Sequence, residues 1–249
     1  MAKAAHGKAA TLAIRLSQAL TYLLGSIAAG VIVLQLWFLI SIASWAALDP
    51  GSTTFMRNER WRLCGVNVWS CGISHDWVDY CKISKAAKRA IIAAEDSGFV
   101  NHDGFEADAI RQAWEKNQRR GKTVSGGSTI TQQLAKNLFL TGERSYVRKG
   151  QEFMIAAMLE LLLSKERILE IYLNSVEWGE GIFGIEAAAR HYYRIPAARL
   201  GVEQAARLAA ALPAPKCFDQ RKYCKKIRID FESRAGTILA RMNAVEIPD

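Results

Sequence analysis

The feature that most constrains this chain is a run without charge. Between Arg15 and Asp49, 33 residues carry no Asp, Glu, Lys or Arg and are rich in Leu, Ile, Val and Ala. About 20 helical residues cross the hydrocarbon core of a bilayer, so residues 20–40 suffice for one span with slack at both ends. Trp37 and Trp45 stand where interfacial aromatics would anchor the far end. Lys3, Lys8 and Arg15 flank the near end with no acid among them. Such a flank stays in the cytoplasm, which puts the rest of the chain outside. The competing reading is a cleaved signal peptide cut near Ser41-Ile42-Ala43, but the apolar run is too long for a typical signal core. The expected layout is a cytoplasmic tail at 1–18, an anchor at 19–48, a juxtamembrane connector at 49–83 and one globular domain at 84–249.

The chain has 249 residues, half of them hydrophobic and 23% charged, which excludes intrinsic disorder. The net charge is +9, and the first 48 residues hold only +3 of it. The remainder is basic in its own right, which suits an anionic partner: nucleic acid, an acidic membrane surface or a phosphorylated substrate. All five cysteines (Cys64, Cys71, Cys81, Cys217 and Cys224) follow the apolar run. An extracytoplasmic setting permits disulfides, and the odd count leaves at least one thiol over. Cys217–Cys224 is the favoured pair because no third cysteine competes locally. The spacings do not match zinc sites. Trp61, Trp69 and Trp77 follow no clear period, so membrane-interface and small-core readings both stand.

From Ser84 onward the chain reads as successive helices, and no stretch alternates as a strand. Ser84 caps a helix through Ala94. Further helices are expected at 105–117, from Gly126-Gly127-Ser128 to about 140, at 146–163, 165–174, 185–193, 202–212 and 230–242. The fold class is all-α.

Chemistry gathers at four places. Glu95-Asp96 ends the first helix after the apolar Ile91-Ile92-Ala93-Ala94, where a carboxylate opposes the helix dipole. A partly desolvated Glu there has a raised pKa and can serve as a base. Two glycines before Ser128 expose N–H groups at a helix N-terminus, an anion site. On that helix Thr129, Gln132, Gln133, Lys136 and Asn137 share a face of neutral hydrogen-bonding groups around one cation. Arg144, Arg148 and Lys149 form a cationic row with Glu152 one turn after Arg148. That row is either a set of surface ion pairs or a diphosphate cradle oriented by Glu152. In the helix 165–174, Glu170 reads as a structural acceptor.

Four blocks occur in order: Glu95-Asp96-x-x-Phe99-x-x-His102-x-Gly104; residues 126–133 (GGSTITQQ) with Lys136-Asn137; Arg148-Lys149-x-x-Glu152; and Lys165-x-x-Ile168-Leu169-Glu170-x-Tyr172-Leu173-Asn174. Together, over about 83–215, they resemble the signature of the peptidoglycan glycosyltransferases, family 51 of the glycosyltransferases. The length resembles the monofunctional members. The resemblance implies a lysozyme-like helical fold and a lipid-linked disaccharide substrate, lipid II. It also implies inverting transfer of the growing glycan from undecaprenyl diphosphate to a GlcNAc 4-hydroxyl. The setting it implies is the inner (cytoplasmic) membrane, with other cell-wall synthesis or division proteins as partners and no nucleic acid. Glu95 and Glu152 are then the catalytic candidates. Asp96, Ser128, Thr129, Gln132, Gln133, Lys136, Asn137, Arg144, Arg148 and Lys149 are the substrate-binding candidates. A divalent cation (Mg or Mn) on the diphosphate is an expectation of the resemblance alone, since no metal motif appears. The alternatives are a lytic transglycosylase or muramidase of similar fold and a noncatalytic envelope scaffold.

Overall fold

The computed structural model describes residues 2–65, 72–106, 111, 115, 118, 119, 127–143, 145–219, 224 and 229–248. Cys71, Gly126 and Arg144 lie outside these residues, as does most of the helix expected at 105–117. The chain divides into two compact units, 1–44 and 45–249.

The first unit is one helix, α1 (Ala2–Ser44). Its part from Ile14 to Ser44 is long and apolar enough to cross a membrane. At 1.5 Å per residue those 31 residues reach about 46 Å, against about 30 Å of hydrocarbon.

In the second unit, α2 (Thr54–Cys64) occupies the stretch expected to be a connector. Thr53 caps it, its Oγ1 accepting from the Met56 amide at 3.1 Å. Only Met56 and Glu59 are buried along α2, which is why hydrophobic periodicity does not reveal it. Then follow α3 (Lys85–Glu95), α4 (Ile130–Phe139), α5 (Tyr146–Leu162) and α6 (Lys165–Ser175). Further on come α7 (Ile185–Tyr193), α8 (Val202–Ala211), α9 (Pro215–Asp219) and α10 (Phe231–Arg241). Hydroxyl caps start several of them: Ser84, Thr129, Ser145 and Ser164 each accept a backbone N–H from the first turn. The expected bounds hold within a residue or two for α3 and for α5 to α8.

Strands were not expected, yet β1 (Ser74–His75), β2 (Glu177–Gly179) and β3 (Ile182–Phe183) form a small sheet in the order β1-β3-β2. β3 runs parallel to β1 and antiparallel to β2. Segments of two and three residues are too short to show alternation, and both residues of β3 are buried. β2 and β3 thus form a hairpin through the glycine-rich stretch 179–184. Gly184, at φ 83°, closes it: a Cβ there would stand 3.0 Å from the Asn174 carbonyl oxygen.

Two helical layers carry the core. α3 packs on α8, which packs on α10; α4 packs on α5 and α6. α6 buries Ile168, Leu169, Ile171, Tyr172 and Leu173, all at 0% exposure. Side chains of this size contribute about 1.5–3 kcal/mol each when fully buried. Glu170 on α6 accepts from the Tyr80 amide at 3.0 Å and pairs with Arg167 at 2.8 Å, so its role is structural. Arg167 also donates to the carbonyls of Trp45 and Leu48, fixing the start of the unit. Its guanidinium stands over Trp77, which packs inside the unit, whereas Trp61 is exposed. Cys217 and Cys224 form a disulfide with Cα atoms 5.5 Å apart. Cys64 is also disulfide-bonded, and Cys81 is free and exposed.

Candidate active site

The first motif closes α3 and ties it to α4. Asp96 follows the helix and is buried at 5% exposure. Its Oδ1 lies 2.8 Å from His102 Nε2, and its Oδ2 accepts the Ile130 amide at 2.9 Å. The Gly104 amide donates to His102 Nδ1 at 3.1 Å; with Nδ1 accepting, the ring proton sits on Nε2 and is given to Asp96. Thr129 Oγ1 caps α4 and donates to the Gly104 carbonyl at 2.7 Å. Gly104 has φ 82°, and a Cβ there would lie 2.9 Å from Cγ of Glu160. Glu160 in turn accepts from Thr131 and pairs with Lys165.

One amide at the N-terminus of α4 is thus taken by the protein's own Asp96. Asp96 and Thr129 have their side-chain oxygens committed to the framework, and Asn137 is buried at 8% exposure. Helical periodicity places residues on a face but does not say which neighbour that face meets.

Glu95 is placed by three elements. Gln133 Nε2 on α4 donates to its Oε2 at 2.9 Å. Tyr172 on α6 donates its hydroxyl to Gln133 Oε1 at 3.0 Å, which fixes the orientation of the amide. Arg234 on α10 donates to Glu95 Oε1 at 3.2 Å. Burial pushes the Glu95 carboxyl above its ordinary value, with Gln133, Arg234 and Lys136 opposing. Burial and the carboxylates of Glu95 and Asp96 hold the Tyr172 hydroxyl protonated. The motif blocks include Tyr172 without giving it a role and leave out Arg234, whose distance along the chain gave no cue.

A cavity of about 430 Å³ opens beside this group, lined by Phe55, Ser128, Gln133, Lys136, Arg148, Lys149 and Glu152. Glu152 is buried at 3% exposure. Its two oxygens take Arg148 Nη1, at 2.6 Å, and Lys149 Nζ. Lys149 also donates to Ser128 Oγ at 3.2 Å and Gln132 Oε1 at 3.4 Å. Arg148 Nε is buried without a hydrogen-bond partner. Lys136 differs from both: among the described residues its ammonium makes no hydrogen bond or ion pair, and burial lowers its pKa. A half-buried cation with three free donors is a site waiting for an anion.

Among the described residues, the carboxylates near the cavity already have partners. Both oxygens of Glu152 and of Glu95 are engaged by cations or an amide. Asp96, His102 and Glu106 bring ligand atoms within 4.8 Å of one another, but both ring nitrogens of His102 and both oxygens of Asp96 are already hydrogen-bonded.

Comparison with known proteins gives the family. The sequence matches the transglycosylase family over residues 67–243, further at both ends than the motif blocks. It is similar to the biosynthetic peptidoglycan transglycosylases of Cupriavidus pinatubonensis (61% identity, covering 92% of this chain and 90% of the relative) and Ralstonia nicotianae (61%, 92% and 98%). That of Burkholderia thailandensis is 56% identical over 92% of this chain and 88% of the relative. The chain belongs to the transglycosylase family, the peptidoglycan glycosyltransferases of cell-wall synthesis.

Proposed function

We propose that the cavity binds the diphosphate of lipid-linked glycan and that the enzyme polymerises lipid II with Glu95 as the general base. The observation that carries this reading is Lys136, a half-buried cation that makes no hydrogen bond or ion pair among the described residues and whose charge is felt by Glu95. A sugar hydroxyl is a weak nucleophile and needs a base. A diphosphate is a good leaving group and needs its developing charge met. The cavity lining offers the cations, and Glu95, hydrogen-bonded to Gln133 of that lining, offers the base.

In the proposed step Glu95 takes the proton of the acceptor's GlcNAc 4-hydroxyl. The freed oxygen forms a bond to C1 of the donor's terminal MurNAc. The bond from C1 to the phosphate oxygen breaks with inversion, and undecaprenyl diphosphate leaves with the electron pair. Lys136, Arg148 and Lys149 meet that charge, with Arg144 assigned to the same row. Glu152 holds Arg148 and Lys149 in place and transfers no proton. Gln133 and Arg234 orient Glu95; Asp96 and Thr129 hold α3, α4 and the His102 turn together. A divalent cation arriving with the diphosphate would be held by phosphate oxygens, and the step above does not depend on one.

The same reading sets the catalytic unit on the extracytoplasmic side of the inner membrane, with α1 as its anchor. The basic flank of α1 and the disulfide beyond it support that topology.

The test is incubation of the purified full chain with labelled lipid II. The expected result is glycan polymer, and no muropeptide release from purified sacculi. Digestion of sacculi without extension of lipid II would instead establish the lytic alternative.

A further inference from the structure

The cavity has one wall that none of the motif blocks supplies. Phe55 comes from α2, in the stretch between the apolar helix and the catalytic motifs, and its ring lines the cavity. The neighbours of Phe55 hold it there. Thr54 Oγ1 donates to the Leu138 carbonyl at 2.9 Å, at the last turn of α4, and Met56 is buried at 2% exposure. The far end of α2 is tied down as well. Glu59 accepts from Arg62 and from Lys216 at 2.7 Å, and Arg62 reaches Glu180 at 2.7 Å.

The ring centroid of Phe55 lies 5.9 Å from Lys136 Nζ, within the range of a cation–π contact. A carboxylate in that position would neutralise the ammonium and occupy its donors. An aromatic face excludes water from one side and attracts the cation through its quadrupole, yet takes none of its hydrogens.

We infer that Phe55 is a positioning residue for the reaction: α2 lays its ring against Lys136 so that the ammonium stays in place, shielded on one side and free to donate to the diphosphate. The inference rests on the diphosphate reading of the cavity. It gives the segment at 54–64 a part in catalysis, where a linker would need only length.

The experiment uses the full chain in detergent, with labelled lipid II as substrate. Steady-state rates are compared for wild type, Phe55→Leu, Phe55→Ala, Phe55→Tyr and Phe55→Trp, with a melting curve for each. Loss of the aromatic face in the Leu and Ala variants should lower kcat/KM by between about two- and thirty-fold, and Tyr and Trp should restore it. Leucine keeps an apolar wall, so a deficit in Phe55→Leu with an unchanged melting curve separates the ring from simple packing. The pH profile is a second readout. Lys136 faces Glu95, Glu152, Arg148 and Lys149, and opening its shielded side to water should move the basic limb of kcat/KM upward in Phe55→Ala. Equal rates in Phe55→Leu and wild type, or equal losses in the Leu and Trp variants, would overturn the inference. Failure of wild type itself to extend lipid II would instead overturn the diphosphate reading beneath it.

Discussion

Glu95→Gln separates chemistry from stability. The amide is isosteric with the carboxyl and Arg234 can still donate to its oxygen, while the new NH2 then faces the Gln133 Nε2 donor and that one hydrogen bond is lost. The proton acceptor is lost, however, and removal of a general base typically costs about 10²- to 10⁴-fold in rate. The stability effect has the opposite sign. Burial raises the folded-state pKa of Glu95 above the ordinary value of 4.5. The folded protein then holds a proton that the unfolded chain has released. Stability from this group is fully present below the ordinary value and lost as pH rises through the raised one. At pH 7 the wild-type carboxylate therefore costs stability, and the amide does not. The expected result is a melting temperature at pH 7 no lower than wild type, with the difference between the two shrinking toward pH 4. Polymerisation is followed at saturating lipid II in the same preparations. A variant retaining more than a tenth of the wild-type rate would refute the base assignment. A melting temperature lower by more than about 5 °C would refute the electrostatic argument, since 1 kcal/mol moves a domain of this size by about 2–4 °C.

Lys136→Ala and Arg148→Ala should each slow lipid II polymerisation by about 10²- to 10³-fold, the usual cost of removing a donor aimed at developing charge; because Arg148→Ala also leaves Glu152 with one cation, its melting curve must be read beside its rate. Glu177, raised to about 7 by burial and by Glu59 nearby, should make the folded state less stable as pH rises through 7, and Glu177→Gln should flatten that part of the melting-temperature profile. The disulfide between Cys217 and Cys224 should appear as a linked peptide in non-reduced mass spectra, and Cys217→Ser should cost about 2–3 kcal/mol in denaturant unfolding.

Much of the fold was legible because its helices bury broad apolar faces and start on hydroxyl caps. Ser84, Ser145 and Ser164 stand where chain chemistry says a helix begins. What escaped notice has a common cause. α2 keeps its place through Glu59, Arg62 and Lys216, polar ties to residues as distant as 216, and such ties leave no periodic trace. β1 and β3 are two residues each, shorter than the period needed to detect them. At the site, motif spacing brought Glu95, Gln133, Lys136, Arg148, Lys149 and Glu152 to notice together, and the structure assembles them around one region. It could not say that Asp96 turns inward to cap α4, because both fates need the same residue at the same spacing. Arg234 and Phe55 enter from opposite ends of the unit's sequence, and only folding brings them to the motif residues.

The charge pattern of α3 joins these levels. Lys85, Lys88 and Arg89 occupy its first turns and Glu95 its last, so charge at both ends runs against the helix dipole. Each such placement costs about 0.3–1 kcal/mol when exposed, and nothing in helix propensity calls for it. The capping hydroxyl of Ser84 and the packing of α3 on α8 offset that cost. At the C-terminal end the misplacement has a use. A carboxylate set against the negative end of a helix, half-buried and held by Gln133 and Arg234, binds its proton more firmly than a surface glutamate. Gln133, Arg234 and Lys136 pull the other way. Polymerising glycan needs such a balance, because the base must be ionised when the acceptor arrives and still basic enough to take a hydroxyl proton as the diphosphate departs. Cleaving glycan by the usual two-carboxylate route needs a second acid facing the first. Glu152, the glutamate that lines this cavity, is held between two cations, an arrangement that fits diphosphate departure and not protonation of a sugar leaving group.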